Sequence, residues 1–367
     1  MSKDNKEVKE SDENKQSNVC IVVCGGINID RFFNVARLPV AAAKAGANAY
    51  FIGAFGNDVF TSYLKETMDN YKVDTTGCYT LKKDVPCGQA YIFLLPEKDN
   101  SIVVIPSANA QWPDDFNDTQ RSIIESADCI LLQRVEYFFC LKKKGGILFF
   151  LETYVEVPEE YNLRISKIAH KKNIPVILDM GGEDSPVSKE LLQYVSIVSP
   201  NESELRRLVQ DEKMALPLTS EGMKVIHDKL NQYNDKLHIL LKLGSQGCQM
   251  ICSKYNYYHI LSCPALPLQK DQVVDTTGAG DCFTGAFAAQ WIRELKAHCR
   301  HNNISHPSAI FKWADWDDTV KYQLFTNAMK FACTAAGLSV TKLGTMTSFP
   351  SLQEVVETNH KWSLSNK

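Results

Sequence analysis

The chain has 367 residues, 44% hydrophobic and 23% charged, which excludes a disordered, collagen-like or coiled-coil protein and suits one large α/β domain or two smaller ones. Lys and Arg number 40 against 43 Asp and Glu, a formal charge of −3, which argues against a nucleic-acid binder and against attraction to membranes. Its longest apolar runs, such as residues 146–151 (GILFFL), fall far short of the ~20 residues a membrane span needs, and twelve cysteines are too sparse for a disulfide scaffold.

Residues 1–18 alternate lysines with acidic residues and carry almost nothing apolar. Such a stretch cannot offset the entropy of ordering, so it reads as a disordered polar tail, and it has no apolar core for a secretory signal. A cytoplasmic setting is expected, with the nucleus as the alternative. Next come short apolar runs that read as strands: VCIVVCG (19–25), AYFIGAF (49–55), TTGCYTL (75–81), GQAYIFLL (88–95) and SIVVIP (101–106), with a helix over 58–68. From residue 128 strands and helices alternate: DCILLQ, a helix over 158–172, IPVILDM, SKELLQ, VSIVSP, NESELRRLV and, further on, LHILLKLG. Apolar runs separated by helices predict a parallel sheet covered on both faces. Residues 282–295 read as a helix, and the polar, aromatic stretch 298–317 as a loop between two helices. HCRHNNISH within it lacks the second cysteine pair of a structural zinc site and reads as surface loop.

Three segments carry chemistry. In DTTGAGD (275–281) the small residues Gly278, Ala279 and Gly280 leave backbone amides uncovered where a helix begins. Orphan amides and the helix dipole there make an anion hole. Asp281 would repel a phosphate, so beside such a hole it suits a base that takes a proton from an attacking hydroxyl; the plainer alternative is an N-cap. In SPNESE (199–204) Asn201 can bond a phosphate and Glu204 can hold a hydrated Mg²⁺, or the two can simply cap a helix. In LKLGSQG (241–247) the strand ends in a turn whose glycines let a nucleotide approach closely. No GxxxxGK[ST] or GxGxxG spacing is present, which excludes a Walker or a dinucleotide-binding site.

With GGINIDR (25–31), GAFGNDVF (53–60) and TKLGTMTSFP (341–350), these segments resemble the PfkB-type sugar kinases, the family of the ribokinases, over about residues 19–350. The resemblance implies a three-layer α/β/α domain over 19–355 with a mostly parallel sheet, a small β-sheet lid built around 25–39 and 75–105, and a C-terminal tail from 356 to 367. It implies ATP-dependent phosphoryl transfer to a sugar hydroxyl, D-ribose to D-ribose 5-phosphate, with a hexose, a keto-sugar acid or a nucleoside as alternative acceptors. Mg²⁺ and a monovalent cation, K⁺, are the implied cofactors, sugar and ATP the implied partners, and a homodimer paired through the lid the implied oligomer.

Carried over by position, Asp281 is the base, and the amides of Gly278, Ala279 and Gly280 stabilise the transferring charge. Asn28, Ile29, Asp30 and Glu156 contact the sugar. Asn201, Lys242, Leu243, Gly244, Ser245, Gln246, Gly247, Gly280, Asp281 and Cys333 line the ATP site. Asp275, Thr277, Ser339, Lys342, Gly344 and Ser348 hold the monovalent cation, mostly through backbone oxygens.

The sequence departs from the family twice. RLP at 37–39 runs straight into VAAAKAGANAYFIG, where family members place a lid strand and the sugar-gripping motif GGKGAN. No N-cap residue precedes Val40, so a helix is expected to begin part-way along. Conversely, residues 134–155 intervene before Glu156 and read as an atypical insertion, either a functional lid or membrane-touching loop or a retained non-coding stretch. A rival function follows from the first departure: a nucleotide-binding variant that cannot grip a sugar.

Overall fold

The computed structural model describes residues 19–30, 36–82, 84–94, 100–134, 136–143, 146–155, 157–181, 187–230, 234, 236–254, 257–304 and 316–365. The polar tail 1–18 and Glu156 lie outside the described residues. Strands in chain order are β1 (Cys20–Cys24), β2 (Asn28–Asp30), β3 (Asn48–Ile52), β4 (Ala54–Phe55), β5 (Val73–Asp74), β6 (Tyr79–Thr80), β7 (Gly88–Leu94), β8 (Asn100–Ile105), β9 (Cys129–Gln133), β10 (Glu136–Lys143), β11 (Gly146–Val155), β12 (Val176–Asp179), β13 (Ile197–Ser199), β14 (His238–Lys242), β15 (Cys248–Lys254) and β16 (Tyr257–Cys263). Helices are α1 (Arg37–Lys44), α2 (Phe60–Asn70), α3 (Asp118–Glu125), α4 (Glu159–Lys171), α5 (Lys189–Leu192), α6 (Glu202–Leu208), α7 (Ser220–Leu230), α8 (Ala279–His301), α9 (Asp318–Ser339) and α10 (Leu352–Ser365).

The main sheet has the order β5-β3-β1-β9-β12-β13-β14-β15-β16. It is parallel from β5 to β14 and antiparallel over the last two strands. Alternation along each strand sends side chains to opposite faces. Ile21, Val23, Leu131, Ile177 and Leu240 join the core built with the alanine-rich helices α1, α8 and α9. Their neighbours Val22, Ile130, Leu178, Ile239 and Leu241 join a second core on the other face. Burial on both sides explains why these strands read as unbroken apolar runs. At Gly285 of α8 an added Cβ would stand 2.6 Å from the Ala41 Cβ and 3.0 Å from the Leu38 carbonyl, so only glycine lets α1 cross so closely.

A separate sheet has the order β2-β7-β8, built from the regions expected to form the lid. Its register places Asn28 opposite Gly88 and Asp30 opposite Ala90. In the first expected lid region, 28–30 is strand among the described residues, while residues 37–39, expected in the lid, belong to α1. That helix starts on Ala36 without a side-chain cap, and Pro39 is tolerated because first-turn amides have no intrahelical acceptor to lose. Within the expected insertion, Arg134 continues the main sheet, its amide donating to the Asp179 carbonyl at 3.2 Å. Residues 136–155 form the antiparallel hairpin β10-β11, with an irregularity between Phe138 and Cys140.

Two further expectations are corrected. Helix α8 runs on through His301, because its apolar stripe continues to the buried Leu295 and Cys299, so the loop starts later than residue 298. Residues 352–365, expected in part as a tail, are helical and bury Val355 and Trp362 in the core shared with α9. Among the described residues, no helix is long and apolar enough to cross a membrane.

Candidate functional site

Asp179, Ser199 and Lys242 are the last residues of the neighbouring parallel strands β12, β13 and β14. In an open α/β sheet the crevice outside the carboxyl ends of the strands is where ligands bind. Helix α8 begins above this edge at Gly278, which has φ +78°, a left-handed conformation natural to glycine. The Ala279 amide is used within the turn, donating to the Thr276 carbonyl at 3.2 Å. Among the described residues the amides of Gly278, Gly280 and Asp281 have no acceptor. Of the three amides expected to be open, those of Gly278 and Gly280 are, while that of Ala279 is engaged within the turn and that of Asp281 is open in addition.

Asp281 lies in the first turn of α8, its carboxylate Oδ2 3.6 Å from Nη1 of Arg37. Burial raises its carboxyl above the usual range, against the opposing pull of Arg37. Arg37 was not anticipated from sequence. It is the first residue of α1, an unfavourable place for a cation, and Asp281 compensates it. Burial also lifts Glu204, whose carboxylate accepts from the Asn201 backbone amide at 2.7 Å and its side-chain amide at 2.8 Å. Asn201 in return accepts from the Glu204 amide at 2.9 Å, a closed capping box at the start of α6. The capping alternative is thus what the contacts show, while both residues still line the cleft.

Two adjoining clefts meet here. One of about 640 Å³ is lined by Asp179, Asn201, Glu204, Lys242 and Asp281. The other, of about 500 Å³, is largely apolar, with Leu266, Pro267, Phe283, Cys333 and Val340 in its walls. Lys242, Gly244 and Gly280 border both. Ser245 and Gly247 also line the apolar cleft, whereas Leu243 is buried beneath the turn. The two residues that complete the polar cluster, Asp179 and Thr284, were missed in the sequence. Thr284 Oγ1 donates to Asp179 Oδ2 at 2.7 Å across 105 residues of chain. The only sequence signal was a lone carboxylate closing the apolar run IPVILD.

The residues expected to hold a cation divide. Asp275 accepts from the amides of Thr277 at 2.9 Å and Gly344 at 3.1 Å, joining two loops. Burial alone would raise its carboxyl, but these bonds, with Arg37, hold it below the usual range. Ser339 and Ser348 are buried, each hydroxyl donating to a carbonyl of its own turn and keeping its oxygen available as an acceptor. Lys342 sends its side chain away to Glu354 at 3.0 Å. Such an all-oxygen set fits a hard monovalent cation. On the sugar side, the buried Asn109 amide pairs with both the N–H and the carbonyl of Ile27, each at 3.0 Å, and fixes the chain entering Asn28–Asp30.

A parallel sheet with this crevice, an open helix N-terminus and a carboxylate at its mouth can hold a phosphate beside a proton acceptor. The chain belongs to the pfkB family of carbohydrate kinases, whose model matches residues 34–352, and it is a sugar phosphotransferase using ATP. It is 29% identical to a ribokinase of Arabidopsis thaliana over 92% of this chain and 80% of that one. It is 27% identical to a Haemophilus influenzae ribokinase over 88% and 85%. The structure of the Arabidopsis thaliana ribokinase complexed with ribose and ATP superposes with a TM-score of 0.71 at 25% identity, covering 93% of this chain and 99% of that one. The ribokinase of Giardia lamblia shares the fold, with a TM-score of 0.71 at 20% identity over 94% and 100%.

Proposed function

We propose that the acceptor is D-ribose and the product D-ribose 5-phosphate, with Asp281 as the base. The observation that carries the reading is the mouth of α8, where three acceptor-free amides and one ionisable carboxylate meet between two clefts. The apolar cleft takes the adenine, and the triphosphate crosses the border at Gly244 and Gly280. The γ-phosphoryl group then lies over the amides of Gly278, Gly280 and Asp281, donors fixed in advance for developing charge. Asp281 takes the proton of the attacking hydroxyl, and its raised carboxyl makes it the better acceptor. Two ribokinase relatives support ribose as acceptor.

Mg²⁺ supplies charge neutralisation on the phosphates when bound. Glu204, whose oxygens are held by Asn201, fits it through water rather than by direct ligation. The Asp275, Ser339, Gly344 and Ser348 loops fit K⁺, and a homodimer through the lid sheet β2-β7-β8 completes the reading. The test is an ADP-release assay with D-ribose, D-fructose, a keto-sugar acid and a nucleoside, with the product identified by mass. Ribose-dependent ADP release is expected; preference for another acceptor overturns the ribose assignment alone.

A further inference from the structure

Lys242 and Asp179 form an ion pair at 3.0 Å at the floor of the site, with 14% and 9% of their side chains exposed. The two partners are satisfied very unequally. Asp179 Oδ2 accepts from both Lys242 and Thr284, and Oδ1 accepts from the Gly181 amide at 3.2 Å. Because Thr284 gives its proton to Asp179, the buried Ser199 hydroxyl donates to Thr284 Oγ1 at 3.2 Å. Three of the carboxylate's roughly four acceptor positions are thus taken. The ammonium has three N–H donors and, among the described residues, one hydrogen-bond acceptor, Asp179. Its Nζ stands 3.9 Å from where a Gly280 Cβ would lie, over the open N-terminus of α8. It also borders both clefts, where a triphosphate must pass from one to the other.

We infer that Lys242 is a catalytic residue that contacts the β- and γ-phosphate oxygens, with Asp179 and Thr284 as positioning residues that aim it. The inference rests on the nucleotide-site reading above. During transfer the bond from the γ-phosphorus to the β,γ-bridging oxygen breaks and its electron pair leaves with ADP. A new P–O bond forms to the acceptor oxygen, whose proton passes to Asp281. Lys242 stays protonated and offsets the charge gathering on the bridging oxygen. A lysine serves phosphate as a point charge, and a buried carboxylate partner keeps it charged and in one place.

The test is calorimetric titration of ATP, ADP, AMP and adenosine into the parent protein and into Lys242→Met, Lys242→Arg and Asp179→Asn, with turnover measured on each. Lys242→Met is expected to weaken ATP and ADP about 10- to 100-fold, the scale of one charge-assisted hydrogen bond. Adenosine affinity should be unchanged, and turnover should fall about 10²- to 10³-fold. Lys242→Arg should restore most of the ATP affinity, and Asp179→Asn should lower kcat more than it raises KM. The double variant Asp179→Asn/Lys242→Met removes both charges together and stands in if the single variant fails to fold. Equal weakening of adenosine and ATP in these variants, or ATP affinity unchanged, overturns the inference while leaving the nucleotide site standing. A parent protein that binds adenosine and ATP equally well also overturns it, and one that binds neither overturns the underlying reading as well.

Discussion

Asp281, the proposed base, faces a guanidinium, and burial and that charge act on it with opposite signs. Burial raises its carboxyl and Arg37 lowers it, with burial winning. Only the ionised carboxylate accepts a proton, so activity is present above its raised pKa and lost as pH falls through it. Removing the guanidinium takes away the lowering influence, so in Arg37→Met the acid limb of kcat/KM should move to higher pH. An acid limb unmoved in that variant would show that Arg37 does not face the base in solution. Asp281→Asn should keep the fold and ATP affinity but lose about 10²–10⁴ in turnover, the usual worth of a general base. An assay of kcat beside an ATP titration checks both halves of that statement.

At the scale of elements, the start of α8 was legible because its requirements are local. A glycine at φ +78° followed by small residues announces a helix mouth in any context. Adding a Cβ at Gly278 meets nothing closer than 3.4 Å, so the cost of Gly278→Ala is the left-handed backbone itself. That strain is about 1–2 kcal/mol, readable as a lower urea midpoint, and the shifted amides should lower kcat more than ATP affinity. What the sequence hid depends on tertiary crossings. Arg37 meets Asp281 only because α1 packs on α8 at Gly285, and Asp179 meets Thr284 only because α8 lies over the end of β12. The hairpin β10-β11 was unreadable for a related reason: its strands pair with each other and with no other strand among the described residues. The sheet was legible strand by strand, since two-sided burial leaves an unbroken apolar run. The C-terminal helix was not, because its inward contacts are few and its outer face polar.

For the molecule as a whole, the nucleotide half and the sugar half are unequally furnished, and the difference is measurable. On the proposed nucleotide side the ends of β12, β13 and β14 and the first turns of α8 are joined by hydrogen bonds of 2.7–3.2 Å. The Asp275 loops adjoin that half, and if they hold a cation, K⁺ should accelerate turnover by ordering Gly278 and its neighbours. Equal rates in K⁺ and in a bulky organic cation at matched ionic strength would remove this role. On the proposed sugar side, the described strand of the first lid region is Asn28–Asp30, the sequence runs through Pro39 and on along α1 without a GGKGAN motif, and Arg37 faces Asp281. Phosphoryl transfer depends on placement, and a hydroxyl displaced by ~1 Å can cost on the order of 10²-fold. The chain should therefore bind ATP yet turn over ribose at least about 10²-fold more slowly than a version with a GGKGAN-bearing segment inserted after Pro39 and residues 136–155 removed. Without that segment water is expected to reach the site, so slow ATP hydrolysis without transfer should be seen and should fall when the segment is restored. Side-by-side ribose 5-phosphate and free-phosphate assays on the two proteins decide the matter, and equal ribose turnover would mean that β2 and α1 already hold the sugar.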